Sequence, residues 1–330
     1  MTTDTTKAVL FQRDPRRVVV EDIPIPRIGP GEVLVAAKSV GLCRSDNELL
    51  HGHLDRQLAI PYPVIPGHEW AGQVVEVAPD VTNVSPGDPV VGECVIAPNH
   101  WFGFTYHGAA AELFRVPAHL LHRLPAGVDF SSGALVEPFT IAYKAVRVSG
   151  GVDASETVAI VGGGMIGQCA LAVGRGSGAT TVVIEPNPRR RALALALGAD
   201  AVIDPSEGDV AQAFRDLTGT DGADLVVEAS GHPIGIASTL VLARHAGRIV
   251  TIGICAHDDV PGPWGLVQAK DLTIRGTTGS SDVWPAALRF MQKQGIDLRP
   301  VITATYGLAD AAEAVAATDD PENIKVHLTF

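Results

Sequence analysis

The chain is poor in cysteine, aromatics and positive charge, and it has no long apolar run. Its four cysteines, Cys43, Cys94, Cys169 and Cys255, lie far apart. That excludes a disulfide framework and suits a reducing, cytoplasmic setting in which one thiol does chemistry. Aromatic residues make up 5% of the chain, and 25 Lys and Arg stand against 37 Asp and Glu, a formal charge of −12. An acidic chain without a Lys/Arg block is not expected to bind a nucleic-acid backbone. No run reaches the roughly 18 apolar residues that a membrane-spanning helix needs, so no membrane partner is expected. The opening MTTDTTKAVLFQRD carries an early acid and no apolar centre, so it does not read as a secretory signal.

What is present is enough for a packed core. The chain has 330 residues, 46% hydrophobic and 19% charged, with 35 Gly and 23 Pro. This length suggests about two domains, and the Gly and Pro content suggests short elements joined by tight turns. The first 140 or so residues are β-rich: VVVEDIPIP, EVLVAAKSVG, AGQVVEVAP and PVVGECVI are short Val/Ile runs cut by Pro and Gly, the pattern of a compact barrel-like domain. After Tyr143 the texture becomes strand, turn, helix, repeated through TVAIVGGGMIGQ, TVVIEPNPRRRALALALGAD, AVID with DVAQAFRDLTG, DLVVEASG with IGIASTLVLARHAG, RIVTIGI and DLTIRGTTG. Short buried strands alternating with helices predict an α/β fold with a doubly wound parallel sheet. The last fifty residues (VWPAALRFMQKQG, VITATYG, LADAAEAVAAT, NIKVHLTF) are expected to return to the first domain, because that sheet is full by Gly279. The expected division is 1–142 with 280–330, and 143–279.

The stretch from Gly162 to Gly167, GGGMIG, fits G-x-G-x-x-G. Alone, the string marks only a Gly-rich turn. Here it follows an apolar strand and opens a helix, the context of a dinucleotide-binding turn. Gly162 allows the tight turn, Gly164 lets backbone approach a pyrophosphate, and Gly167 lets helix and strand pack closely. The N–H groups of the first helical residues, Met165 and Ile166 among them, face the anion. The next strand ends in Glu185, an acid that can accept both ribose hydroxyls and would repel a 2′-phosphate. NAD is therefore expected over NADP. Arg190 is expected to flank the adenine, with Arg189 and Arg191 as solvated helix charges.

Cys43 in VGLCRSD, His68 and Glu69 in PYPVIPGHEWAG, and Glu137 in ALVEPFTIAYKAV are candidate metal ligands. A lone Cys or His is usually a packing residue, whereas an acid inside an apolar run wants a cation or a hydrogen-bond donor. Thiolate, imidazole and carboxylate together make a zinc set with room for water or substrate.

In their order along the chain, VGLCRSD, GHEWAG, ALVEPFTIAYKAV and VGGGMIG resemble the zinc-dependent medium-chain dehydrogenase/reductase family, closest to its sorbitol/polyol, threonine and aminocyclitol branch. The similarity runs nearly end to end, through GRIVTIGI to IKVHLTF. It implies a Rossmann NAD-binding domain, a GroES-like β-barrel catalytic domain, and one catalytic zinc on Cys43, His68 and either Glu69 or Glu137. It also implies that Ser45 passes the substrate proton on, that Asp46 orients His68, and that Arg44 reaches the cofactor pyrophosphate. A homodimer or homotetramer follows from the same resemblance, with edge pairing around TIRGTTG.

Two departures from the family stand out. Cys94 is alone where the family often carries four cysteines for a structural zinc, so none is expected here. The relay His some members place just past the ligand Cys is not matched. Glu48 stands there, with His51 and His53 close by. The aromatic segment 99–106 reads either as core or as a pocket wall. The expected reaction is hydride transfer between NAD and the secondary alcohol of a polyol, sugar or aminocyclitol, or its ketone. The rivals are a zinc-free NADPH-dependent enoyl or quinone reductase of the same fold, and a non-catalytic scaffold.

Overall fold

The computed structural model describes residues 4–255 and 259–330. The chain divides into two compact units: Met1–Glu137 with Ser280–Leu288 and Ile302–Phe330, and Pro138–Gly279 with Arg289–Val301. Residues 138–142 and 289–301, which the texture of the sequence assigned to the first domain, thus cluster with the second unit.

The first unit is built on a seven-stranded sheet. Its path is Ile302–Gly307, Lys325–Thr329, Glu32–Leu42, Glu69–Val77, Pro89–Gly92 and Leu121–Arg123, with Leu113–Pro117 also paired to Glu32–Leu42. All of these pairings are antiparallel except that of Ile302–Gly307 with Lys325–Thr329. The C-terminal strand therefore docks beside the long strand that leads into Cys43, Val326 opposite Leu42. The opening residues, considered in the sequence only as a targeting segment, form the strand Thr5–Arg13. It makes an antiparallel hairpin with Arg16–Pro24 and is bridged to Ala111 through Ala8 and to Val64 through Phe11. Apolar side chains alternating inward give one core around Phe11, Val35, Val40, Leu49, Trp70, Phe102 and Phe114.

Two readings of the sequence change here. PVVGECVI is not one strand: it breaks at Glu93 and Cys94 into Pro89–Gly92 and Val95–Ala97, and the second piece forms a small ladder with His100–Trp101. Asn99 turns that ladder at φ +63°, a conformation Asn tolerates. The aromatic segment is largely core. Phe102 is fully buried against Trp70 and Phe114, with ring centroids 6.1 and 5.9 Å away. Cys94 is buried in the same place, its thiol facing the Phe102 carbonyl at 3.5 Å.

The second unit holds a six-stranded parallel sheet in the order Ala201–Ile203, Thr180–Ile184, Thr157–Val161, Ala223–Glu228, Ala243–Thr251, Thr273–Gly276. Numbered within the sheet, this is 3-2-1-4-5-6, the doubly wound order that leaves a crevice at the carboxyl ends of the two central strands. The strand Thr157–Val161 is buried along its whole length, as expected for a strand covered on both faces. Local signals set the helix ends. Asn187 caps the helix Pro188–Ala196 with Pro188 in its first turn, Asp209 caps Val210–Thr218, and Gly219 closes that helix at φ +68°. The run IGIASTLVLARHAG is not all helix. The helix Pro233–Leu242 stops, and Ala243 already begins the strand to Thr251, because pairing with Ala223–Glu228 outweighs local propensity. Among the described residues no helix is long and apolar enough to cross a membrane.

Candidate functional site

The strand Glu32–Leu42 delivers the chain to Cys43, which caps the helix Arg44–His51. The cap fixes Asp46, whose Oδ2 accepts the Cys43 N–H at 2.8 Å. Asn47 in the same helix donates to Thr318 Oγ1 and Asp319 Oδ1 at 2.7 and 2.8 Å, anchoring it to the C-terminal part of the unit. The neighbouring strand begins at Glu69, opposite Gly41, so His68 and Glu69 arrive beside Cys43 by sheet register. The donor atoms of Cys43, His68 and Glu69 all lie within 4.8 Å of one another. His68 and Glu69 are buried and Cys43 is half-buried. The other rim of His68 meets Phe104, ring centroids 4.9 Å apart.

Asp46 Oδ1 sits 3.6 Å from His68 Nδ1, just beyond hydrogen-bond length, and neither atom has a hydrogen-bond partner among the described residues. Burial disfavours the imidazolium, but the Asp46 charge outweighs it and holds His68 well above its ordinary pKa. Glu137, in the first turn of the helix Val136–Val148, is buried but stands outside the converging trio. Burial, opposed by the His68 charge and assisted by Glu69, pushes its carboxyl up to about 7. Cys94 is a further thiol in the same field, and this one is buried: burial raises it to about 12, against the pull of His68. One thiol, one imidazole and one carboxylate meeting in one spot fit a zinc ion.

Sequence reasoning missed Lys325. Its buried ammonium donates to Glu69 Oε2 at 2.6 Å and to the Leu42 carbonyl at 3.0 Å. Burial would lower its pKa, yet the Glu69 charge raises it. The signal was available: a lysine inside the apolar run IKVHLTF poses the same problem as Glu137. Two residues on, buried His327 bonds through Nδ1 to Ser39 Oγ at 2.9 Å. Burial, with repulsion from Lys325, depresses its pKa to about 3. Space over Gly41 is needed for this cluster: a Cβ there would lie 2.5 Å from Glu69 Oε2. Ser45 is half-buried in the first turn of its helix, and Arg44 is exposed with Nε 3.7 Å from Glu48 Oε1.

In the second unit the Gly-rich turn forms between the strand Thr157–Val161 and the helix Met165–Gly176, with Gly164 as the cap. Gly162 turns at φ +100°, and a Cβ on Gly167 would lie 1.8 Å from the Gly162 carbonyl oxygen. Both positions therefore require glycine. The N-terminus of this helix, at Met165 and Ile166, is where an anion would meet free N–H groups. Glu185 is buried at the end of the adjacent strand, and its carboxylate accepts from the N–H of Gly163 at 2.6 Å and of Asn187 at 2.8 Å. The acid is thus held against the Gly-rich turn. Fully buried Gln168, also missed, donates to the Gly163 carbonyl at 2.9 Å and to that of Arg190 at 3.3 Å. Arg191 is not the solvated charge expected of it. It donates to the carbonyls of Glu185 and Pro186 and pairs with Asp204 at 2.9 Å, clamping the turn that carries Glu185.

Both units match known protein families. Residues 29–126 match the alcohol dehydrogenase GroES-like domain, and residues 165–293 match the zinc-binding dehydrogenase family. The 2-dehydro-3-deoxy-L-galactonate 5-dehydrogenase of Pseudoalteromonas atlantica is 37% identical over 89% of this chain and 90% of its own. The L-threonine 3-dehydrogenase of Bacillus licheniformis is 31% identical over 88% and 89%. A structure from Sinorhizobium meliloti 1021 bound to NADP superposes with a TM-score of 0.90 at 28% identity, covering 99% of each chain.

Proposed function

The chain belongs to the zinc-dependent medium-chain alcohol dehydrogenases, and from that premise we propose that it moves a hydride between NAD and the secondary alcohol of a polyol, sugar or aminocyclitol. The observation that carries the proposal is the meeting of Cys43, His68 and Glu69 donor atoms within 4.8 Å. These three would hold the zinc, with Glu137 as the carboxylate that exchanges with Glu69. Bound there, zinc would supply Lewis acidity toward a substrate hydroxyl, and a nicotinamide would supply the hydride acceptor.

The chain's own residues do the rest. Asp46, fixed by the Cys43 N–H, needs only a small approach to bond His68 Nδ1 and so hold the imidazole in one tautomer. Lys325 holds the Glu69 carboxylate in place and offsets its charge. Ser45 takes the hydroxyl proton. In the second unit Glu185, buried and pinned by backbone N–H groups, presents acceptors to the ribose hydroxyls and negative charge against a 2′-phosphate. The N–H groups at Gly164, Met165 and Ile166 receive the pyrophosphate, and Arg190 flanks the adenine.

Two features of scale belong to the same proposal. The seven-stranded sheet and the bridged hairpin of the first unit suit a GroES-like barrel. The edge strand Thr273–Gly276 is exposed along its length and suits pairing with a second copy. The relatives named for a sugar acid and for L-threonine support a substrate among polar secondary alcohols. The test is a panel of polyols, sugar acids, cyclitols, amino sugars and L-threonine with NAD and with NADP, following absorbance of the reduced cofactor and the zinc content. Turnover with NAD and bound zinc is expected. A metal-free enzyme that reduces enones or quinones with NADPH contradicts the proposal.

A further inference from the structure

Cys94 is followed not by further cysteines but by the aromatic turn 101–106. The turn is held on both sides of Phe104. Phe102 is fully buried against Trp70 and Phe114, and its N–H donates to the Cys94 carbonyl at 2.8 Å. Tyr106 stacks on Phe102 with ring centroids 6.0 Å apart, and its hydroxyl donates to Glu32 Oε1 at 2.6 Å. The Arg115 guanidinium lies over the Tyr106 ring at 5.5 Å. Gly103 bends the backbone between these anchors at φ +83°, and its N–H donates to the Tyr106 carbonyl at 2.9 Å. Phe104 is thereby buried with its ring against the imidazole of His68, centroids 4.9 Å apart and planes tilted by 37°.

The same segment is tied to the loop that delivers His68. The N–H groups of Gly108, Ala109 and Ala110 donate to the carbonyls of Ile65, Gly67 and Pro66 at 2.7, 2.9 and 3.0 Å, and the Ile65 N–H donates to His107 Nδ1 at 3.2 Å. A Cβ at Gly103 would lie 3.2 Å from the His68 backbone nitrogen, and one at Gly108 would lie 2.4 Å from the Pro66 carbonyl oxygen. Both glycines let the segment close on residues 65–68. From the helix side, Asp46 Oδ1 stands 3.6 Å from His68 Nδ1, too far to hydrogen-bond. The torsion that turns an imidazole is broad, and a flat neighbour limits it where one distant acceptor does not.

We propose that Phe104 is a positioning residue for the metal. Its ring sets the plane of the His68 imidazole before an ion arrives and keeps water from that side of the ligand. A ligand whose rotamer is locked by packing binds with less left to order. The proposal rests on the zinc reading, and its test separates the two.

The probe is zinc chloride, titrated into the metal-free full chain in competition with a chelating dye. Phe104→Leu keeps an apolar side chain but no flat face. It is expected to weaken zinc binding about tenfold, the lower end of the roughly 10–100-fold that partners of a metal ligand are worth. Val116→Ala, a cavity in the same core, lowers the thermal midpoint but leaves zinc affinity at the wild-type value. In metal-free protein the ring current of Phe104 displaces the His68 imidazole NMR resonances. That displacement goes in Phe104→Leu, a readout that needs neither zinc nor turnover. With zinc saturating, kcat with NAD and the panel alcohol falls in Phe104→Leu while KM for the alcohol holds. A Phe104→Leu protein that binds zinc as wild type does overturns the positioning role and leaves the dehydrogenase reading standing, and a raised KM beside it would make Phe104 a pocket wall. Equal weakening in Val116→Ala overturns the role too. A wild type that binds no zinc overturns the zinc reading and the proposal with it.

Discussion

The candidate nucleotide turn and the candidate metal cluster are made by opposite means. The turn is contiguous in sequence: Gly162 to Gly167, then Glu185 to Arg191 one strand later, joined by backbone hydrogen bonds such as Gly163 N–H to Glu185. Its chemistry belongs to peptide groups, and its side chains mostly stay out of the way. The cluster gathers side chains from positions 43, 68, 69 and 325, brought together by two antiparallel registers and one helix cap. A site made of backbone is broken by adding atoms. A site made of side chains is broken by removing them.

The largest effect should come from removing a donor. Cys43→Ser is expected to lose zinc and to lower kcat/KM well beyond the roughly 10- to 100-fold that loss of an outer partner of a metal ligand costs. Metal analysis beside turnover checks it, and a zinc-replete, active variant would place the thiol outside the site. Next comes Lys325→Met, which in zinc-free protein leaves the Glu69 carboxylate buried without its cation. Breaking one side of a buried pair costs about 3–5 kcal/mol. Chemical denaturation should show that loss, and the double variant with Glu69→Gln should recover most of it. If the double variant is no more stable than Lys325→Met, the lysine acts through packing rather than charge.

The converse test adds an atom to the turn. Gly167→Ala places a Cβ against the Gly162 carbonyl, an overpacking worth about 1–3 kcal/mol, with weaker NAD binding. Calorimetry of NAD binding and the thermal midpoint report it together, and an unchanged pair of values would remove the close packing from the account. The smallest effect is one of pH. Burial and the Lys325 charge hold His327 neutral down to about 3, whereas the unfolded imidazole takes a proton near its ordinary value of 6.5. The unfolded state therefore binds the extra proton in that window, so this contribution to stability is complete above 6.5 and is lost as pH falls toward 3. The thermal midpoint of wild type should drop more steeply than that of His327→Gln from pH 7 to acid. Parallel curves would contradict the buried neutral imidazole.

The same contrast explains what the sequence reveals. The doubly wound unit is legible because each strand, turn and helix signals itself locally, from GGGMIG to the Asn187–Pro188 cap. It misleads only where pairing decides, as at Ala243, where no Gly or Pro interrupts the helical run. The metal candidates are legible as polar residues in apolar or Gly/Pro settings, but their partners are not. Lys325 and Asn47 gain meaning only once the C-terminal strand lies beside the one that carries Cys43. Glu137 was read as an equal alternative to Glu69, and only the fold separates the acid in the trio from the acid beside it. The aromatic segment stayed open between core and pocket wall because burial depends on Trp70 and Phe114, distant residues whose rings receive Phe102.

X-ray absorption at the zinc edge of the purified full-length protein tests the central claim most directly. The account predicts one zinc per chain with a single sulfur neighbour at about 2.3 Å and nitrogen and oxygen neighbours at about 2.0–2.2 Å, the sulfur vanishing in Cys43→Ser. A protein that holds no zinc, or whose zinc has no sulfur neighbour, contradicts it.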